Sequence, residues 1–231
     1  MAGQARTSGG GLWLRASSSG RTKPPLSLDR IAAAAVALLD EQGVTQFTMR
    51  NLADRLEVGT TTLYWHVDTK DDVIDLAVDA VFAESSPPGG HGPDWRADIT
   101  ELLTGWRETL LRHPWSAALP LRPRPTVGPG FLAWMEFLQA ALARAGLTGP
   151  DVAAAGWVLY SHVQGSAASQ VALRWTAQER REAQQQLEEH RDRYPTLAAQ
   201  RHLLDDDWAG NFRRGLTYVL DGLATRMPPP P

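Results

Sequence analysis

Wherever apolar residues recur in this chain they do so at intervals of three and four, and no stretch alternates apolar with polar residues as a half-buried strand would. Ile31, Ala34, Ala35, Leu38 and Leu39 form the first stripe, Val73, Leu76, Ala77, Ala80 and Val81 the next. Ile99, Leu102, Leu103, Trp106 and Leu110, then Phe131, Leu132, Met135, Leu138 and Leu142, continue the pattern, and Phe212, Leu216, Val219, Leu220 and Leu223 close it. An amphipathic helix cannot bury its stripe alone, so a chain built only of such helices must pack helix on helix. The fold class is therefore all-α. With 43% hydrophobic residues in 231, the core needs no covalent staple. There are no cysteines, which excludes disulfides, thiolate zinc sites and cysteine nucleophiles and fits a reducing compartment. No apolar run approaches the roughly 18 residues of a membrane span. The start holds only Leu12, Trp13 and Leu14 where a secretory signal needs about 7 to 15 apolar residues. The expectation is a cytoplasmic protein with no membrane partner.

The breaks between stripes divide the chain. Ser27 can cap the first helix and Gly43 can stop it; Thr48 can cap a short helix carrying Leu52, Ala53 and Leu56. Gly59 supplies a break of about three residues, and a second short helix is predicted from Thr60 to His66, with Leu63 and Val67 inward. Asp68 or Thr69 caps the helix that follows. The segment SSPPGGHGPD, residues 85–94, cannot continue a helix and is expected to separate a small head, 27–84, from a larger body, 95–226. Residues 1–26 are rich in Gly and Ser, with four basic residues and no acid, and predict a disordered tail: a basic arm that reaches DNA, or an overextended start. In the body, residues 122–130 read as irregular, and the polar stretch 176–206 as a solvated helix or a protrusion.

Two short helices around a tight break, with a supporting helix before them, make a helix-turn-helix, whose second helix enters the DNA major groove. The stretch VGTTTLYWHVDTKDDV, Val58 to Val73, supplies the residue types for it. Threonine hydroxyls and methyls meet base edges, while Tyr64, His66 and Lys70 can hold phosphates. Charge permits it without establishing it: residues 1–66 carry 7 Lys/Arg against 5 Asp/Glu, and the remainder 16 against 21. Spacing alone leaves open an ordinary three-helix packing unit with solvated polar residues.

The stretch from Leu28 to Glu84, with FTMRNLADRLEVGTTTLYWHVDTKDDVIDLAVD, resembles the DNA-binding head of the TetR family of transcriptional repressors, and TLYWHV is most similar to the Tet repressor branch. LLRHPW and RPRPT in the body are similar to that branch's ligand-binding domain, so the resemblance spans about residues 28–225. It implies that Thr48 contacts phosphate and Arg50 a base, that Thr60, Thr61 and Thr62 face bases, and that Tyr64, His66 and Lys70 hold the backbone. Leu63 and Trp65 then fall in the core of the head. The Tet repressor has glutamine and proline where this chain has Thr60 and Thr61, which implies a different operator.

The same resemblance implies a ligand pocket walled by the helices of Trp106, of Phe131 to Leu142 with Trp134, and of Tyr160 to Gln164, with Arg124 and Pro125 at its edge. Tetracycline is disfavoured. The residues that hold the drug fall on Ser86 and Leu102, and those that hold its magnesium on Pro120 and near Ser169; such side chains cannot build a magnesium site. The implied effector is a small, flat, largely apolar molecule with one polar group, bound without metal or other cofactor.

The functional expectation is a homodimeric repressor released by such a molecule from a palindromic double-stranded operator. The dimer is expected to rest on the helices near 151–173 and 208–226, where Ala153, Ala154, Gly156, Gly165 and Ala168 permit close approach and Leu216, Val219, Leu220 and Leu223 form an apolar stripe; that stripe can also pack within one subunit. A ligand-independent regulator, an activator of the same fold and a small all-α enzyme are the alternatives. Catalytic motifs are thin: His190 to Asp192 spell the HRD of a kinase loop without a glycine-rich phosphate loop upstream, Ser161 and His162 are adjacent on a helix and point apart, and His113 reads as a helix end.

Overall fold

The computed structural model describes residues 26–119 and 128–227, and among them every regular element is helical. In the head, α1 (Leu28–Gln46), α2 (Met49–Leu56), α3 (Thr60–Leu63) and α4 (Lys70–Glu84) follow one another through short caps. Ser27 Oγ accepts the Arg30 N–H at 3.3 Å, and Gly43 breaks the helical geometry of α1 with φ +71° before one last turn to Gln46. Thr48 Oγ1 accepts the Asn51 N–H at 3.1 Å. Thr69 and Asp72 form a reciprocal capping box at the start of α4. Ile31, Ala35, Leu38 and Leu39 are buried with Leu52, Leu56, Leu63 and Val73, so the first stripe does form the head's core.

The body consists of α5 (Trp95–Arg112), α6 (Pro114–Ala117), α7 (Pro129–Arg144), α8 (Pro150–Ala172), α9 (Ala177–Glu189), α10 (Pro195–Gln200), a 3-10 turn at His202–Leu204, and α11 (Trp208–Ala224). The polar helix α9 packs on α10 and the 3-10 turn, and these elements make an outlying arm with only Gln184 and Ala198 buried. The stripe of α11 turns inward: Phe212, Leu216 and Leu220 are buried in their own subunit, where α11 packs on α8. That corrects the dimer stripe expected from the sequence in favour of packing within the subunit.

The connection at 85–94 does not separate two cores. One apolar cluster runs from Ile31 to Leu220, because α4 packs against α1 in the head and against α5 and α7 in the body. The connection is itself pinned: the His91 ring stacks on Phe137 at 4.1 Å, and Asp98 accepts the Gly92 N–H at 3.0 Å.

Helix α7 meets α4 closely. Asp79 on α4 accepts the N–H groups of Gly130 and Phe131 at 3.1 and 2.9 Å, capping α7 from outside. A Cβ on Gly130 would lie 2.5 Å from the Asp79 carbonyl oxygen, and one on Gly128 would lie 2.1 Å from Asp79 Cγ. Backbone cannot swing aside, so Gly130→Ala is expected to cost about 1–3 kcal/mol, as overpacking does. The thermal midpoint reads it; an unchanged midpoint would mean that α4 and α7 part without resistance.

Candidate nucleic-acid interface and effector chamber

The break between α2 and α3 falls at residues 57–59, but the residue that carries it is Glu57, at φ +55°, whose N–H turns back onto the Ala53 and Asp54 carbonyls. Gly59, expected to supply the break, sits in extended geometry at φ −71°. A Cβ there would meet only Thr62 Oγ1 at 3.8 Å, so nothing steric requires glycine. Helix α3 is a single turn, shorter than the predicted Thr60 to His66; Tyr64, Trp65 and His66 continue it as turns bonded to Thr60, Thr62 and Leu63 carbonyls. Leu63 and Val67 are buried, which fixes the outward side. Thr60, Thr61, Thr62, Tyr64 and His66 all stand exposed there.

Trp65 stands with them, 83% exposed, and is not part of the head's core as the resemblance implied. The reason is angular. Leu63 and Val67 are four residues apart and point inward together, so the residue midway between them lies about 200° round from Leu63. The indole stands exposed on the same side as Thr62, Tyr64 and His66, and the 63–67 spacing was the signal that could have placed it.

Thr48 is spent as an acceptor in its cap, yet its hydroxyl hydrogen remains available to a phosphate. Arg50 is exposed and has no ion-pair or hydrogen-bond partner among the described residues, whereas Arg55 is engaged by Glu41 through two bonds of 2.6 Å. Lys70 is placed otherwise than expected. Its Nζ donates to the Phe47 and Val44 carbonyls at 2.7 and 3.3 Å and lies over the Phe47 ring, tying the end of α1 to the start of α4. Only one of its three donors is left for a phosphate. Lys70→Ala is therefore expected to lower the thermal midpoint as well as weakening binding to every duplex alike; a loss confined to DNA binding would contradict this tie.

In the body, Trp106 on α5 and Trp134 on α7 are 1% and 0% exposed. The Phe82 ring of α4 lies on Trp106 with centroids 3.9 Å apart and planes 12° from parallel. Trp134 stands 6.2 Å from Trp106 and meets Tyr160 edge-on at 6.1 Å, and burial raises the phenol of Tyr160 above its ordinary pKa. These residues from α4, α5, α7 and α8 form one packed aromatic cluster. Arg124 and Pro125, expected at its edge, and Pro120 lie outside the described residues. Leu102 is buried and apolar and Ser169 is exposed, so neither offers a metal ligand to the aromatic cluster.

Head and body are further joined by His113, which does end α5 but does more than that. Its Nδ1 faces the Asp40 carboxylate of α1 at 2.9 and 3.0 Å, and its Nε2 faces Glu84, the last residue of α4, at 3.0 Å. Trp115 Nε1 donates to Asp40 at 2.8 Å and Arg112 to Glu84 at 2.6 Å. Burial opposes the charged imidazole, but the two carboxylates outweigh it and hold the His113 pKa above its ordinary 6.5. Burial likewise opposes the Glu84 anion, and its bonds to His113 and Arg112 outweigh that, holding it below 4.5. The raised histidine stabilises fully below 6.5 and loses its contribution as pH rises through its folded value; the lowered glutamate stabilises above 4.5 and loses its contribution as pH falls through its own. The thermal midpoint is therefore expected to fall as pH is raised past neutrality, and His113→Gln should flatten that dependence. A wild-type midpoint indifferent to pH across this window would contradict the pairing.

The outer side of α8 and α11 is left exposed. Ala154, Val158, Ser161 and Gly165 are exposed along one face of α8, with Trp157 beside them, and Tyr218 and Gly222 along α11. Val158 is 51% and Tyr218 71% exposed, and a Cβ on Gly165 or Gly222 would touch nothing.

Residues 31–77 match the family model described as bacterial regulatory proteins, tetR family, and residues 87–227 match the model described as the tetracyclin repressor-like C-terminal domain. The chain belongs to the TetR family. An HTH-type transcriptional regulator of Saccharopolyspora erythraea is 47% identical over 93% of this chain and 92% of its own length. The HTH-type transcriptional repressor DrrR1 of Streptomyces coeruleorubidus is 34% identical over 96% of this chain and 89% of its own. Among solved structures, the TetR family protein ActR of Streptomyces coelicolor in complex with (S)-DNPA superposes with a TM-score of 0.78 at 27% identity, covering 89% of this chain and all of that one. The same protein in complex with actinorhodin gives 0.75, again at 27% identity, covering 87% and 98%.

Membership in the TetR family makes this a helix-turn-helix transcriptional regulator rather than an enzyme. His190 to Asp192 then need no kinase reading: they follow the end of α9 on the outlying arm, where the His190 ring faces the Gln186 carbonyl. Among the described residues no helix is long and apolar enough to cross a membrane.

Proposed function

We propose that this regulator is a repressor, bound as a homodimer to a palindromic operator and released from it by a flat small molecule other than magnesium-tetracycline. Thr48, Arg50, Thr60, Thr61, Thr62, Tyr64 and His66 form the DNA-contacting set, joined by Trp65, and Lys70 contributes chiefly by holding the head together. Trp106, Trp134 and Tyr160 line the effector site, and Arg124 and Pro125 are assigned to its edge by resemblance alone. The observation that carries the reading is α4 itself. Its first turn follows the recognition turn directly, and its last turn lays Phe82 on Trp106 in the aromatic cluster of the body. One rigid helix thus ends at both sites. The relatives point the same way, since DrrR1 is named a repressor and ActR has been crystallised with two small molecules.

An effector lowers DNA affinity only by as much as it prefers the arrangement that does not bind DNA, so a tenfold release requires about 1.4 kcal/mol of coupling. Compounds that raise the thermal midpoint of the protein, added to its complex with a fluorescent operator, test the reading. Loss of anisotropy with the stabilising compounds is the expected result, and an operator complex indifferent to every compound that stabilises the protein would overturn it.

A further inference from the structure

Two cavities lie along α4, between α1 and the first turn of α7. The larger, about 910 Å³, has an apolar floor of Ala32, Val36, Ala80 and Ala133 and reaches His113 at the joint of head and body. The smaller, about 340 Å³, runs toward His66 and Asp68 in the turn after α3. Leu28, Leu76, Asp79 and Pro129 border both, so the two form one groove. Its charge is one-sided. Asp29, Asp40, Asp79 and Glu84 border the larger cavity and Asp68, Asp72, Asp75 and Asp79 the smaller, with no lysine or arginine among the described lining residues. His113 and Arg112 answer Asp40 and Glu84. The surplus is therefore carried by Asp29 and by the row at 68, 72, 75 and 79, whose spacing of four, three and four keeps it on one side of α4.

An apolar floor with an acidic rim calls for an occupant that is both apolar and basic. Residues 1–25 lie outside the described residues, and they join the fold at this groove, since the described chain opens at Leu26 and Leu28 borders both cavities. They carry Arg6, Arg15, Arg21 and Lys23, no acid, and one apolar run, Leu12, Trp13 and Leu14. Reach is sufficient: the chain from Leu14 to Leu28 spans up to about 45 Å when extended, and the groove from residue 68 to residue 84 measures about 24 Å at the helical rise. A tether also makes a weak seat count, because a short flexible linker holds its ends at an effective concentration on the order of millimolar.

We propose that residues 12–25 of this chain are a strap seated in the groove, with Leu12, Trp13 and Leu14 in the larger cavity and Arg21 and Lys23 against the aspartates of the smaller one. Chain order sets the division. Arg21 and Lys23 stand within seven residues of Leu28, beside the aspartate row, while the apolar run lies farther off and takes the roomier cavity, where Asp40 and Glu84 are already answered. Seated there, the strap touches α1 of the head and α7 of the body at once and opposes their parting. Its positive charge also offsets the aspartates next to the turn after α3, which would otherwise repel duplex phosphates brought within a Debye length, about 10 Å at 0.1 M salt.

The chain has no cysteine, so Ser17→Cys takes a nitroxide label at one place in the full-length protein. Without DNA, its electron paramagnetic resonance spectrum is expected to be mainly immobilised. It should become mainly mobile when Trp13→Ser is added, and again when Asp29→Asn and Asp68→Asn are added together. Neither aspartate caps a helix, and circular dichroism checks that the variants fold; should the aspartate pair not fold, Trp13→Ser carries the test. A label that is mobile before any of these substitutions would overturn the proposal, as it must if residues 120–127 fill the groove instead. A label immobilised only once an operator duplex is added would assign the segment to DNA, and one freed by dilution would assign the groove to a second copy of the chain; either result overturns the strap. So would an immobilised label indifferent to both sets of substitutions.

Discussion

A protein carrying Val158→Arg and Tyr218→Arg together is expected to be a folded monomer that has lost about 10²–10⁴-fold in operator affinity, the range over which linking two binding modules raises apparent affinity. Both side chains are more than half exposed in the subunit, so neither substitution removes packing from its core. Both lie on the face where Gly165 and Gly222 leave room for another backbone to approach. Isolated exposed apolar residues are ordinary, but here they stand on two neighbouring helices. One single-turn recognition element reads only a few base pairs, and a two-fold dimer doubles the reading. Light scattering with circular dichroism checks assembly and folding, and anisotropy checks the DNA. A variant that remains dimeric would move the interface elsewhere. Leu220→Arg is no substitute for this test, because Leu220 is buried within its own subunit and an arginine there would unfold it.

The second large effect belongs to the head. Arg50→Ala and Thr61→Ala are each expected to lower specific operator affinity by about 1–3 kcal/mol, the worth of a good base contact, while leaving the thermal midpoint unchanged. Arg50 is exposed with no partner among the described residues, so its removal leaves no buried group unpaired. Thr61 is exposed on α3, whose packing is carried by Leu63. Competition titrations against an unrelated duplex, repeated at several salt concentrations, separate lost specificity from a lost phosphate contact, which would weaken binding to both duplexes alike and lower the salt slope. Unchanged specific affinity in both variants would remove these residues from the interface.

Local chemistry was the part of this architecture legible in the sequence. Thr48 and Thr69 cap as their positions predict, Gly43 takes the left-handed conformation, and the threonine turn is outward because Leu63 and Val67 are inward. What could not be read was chiefly long-range. The Lys70 ammonium reaches a carbonyl 26 residues back, and His113 pairs with Asp40 across 73 residues, contacts that no local pattern records. The stripe of α11 shows a buried face without saying whose core it enters, and packing on α8 decides it for the subunit itself. Trp65 is a different failure. The resemblance to a family core placed it inside, whereas the inward spacing of Leu63 and Val67 turns it outward, and it is exposed. The aromatic cluster was reached through the family resemblance, which implied Trp106, Trp134 and Tyr160, but the stack that joins it to α4 depends on Phe82, which no motif singled out.

One titration tests the central claim most directly. The protein is added to a fluorescent duplex from its own upstream region, and separately to a scrambled duplex of equal length, at one fixed salt concentration. The proposed function predicts one dimer per site and specific binding at least about 10³-fold tighter than binding to the scrambled duplex, with Arg50→Ala cutting that ratio and not the non-specific affinity. Equal affinity for the two duplexes, or a ratio indifferent to Arg50→Ala, would contradict sequence reading by this head.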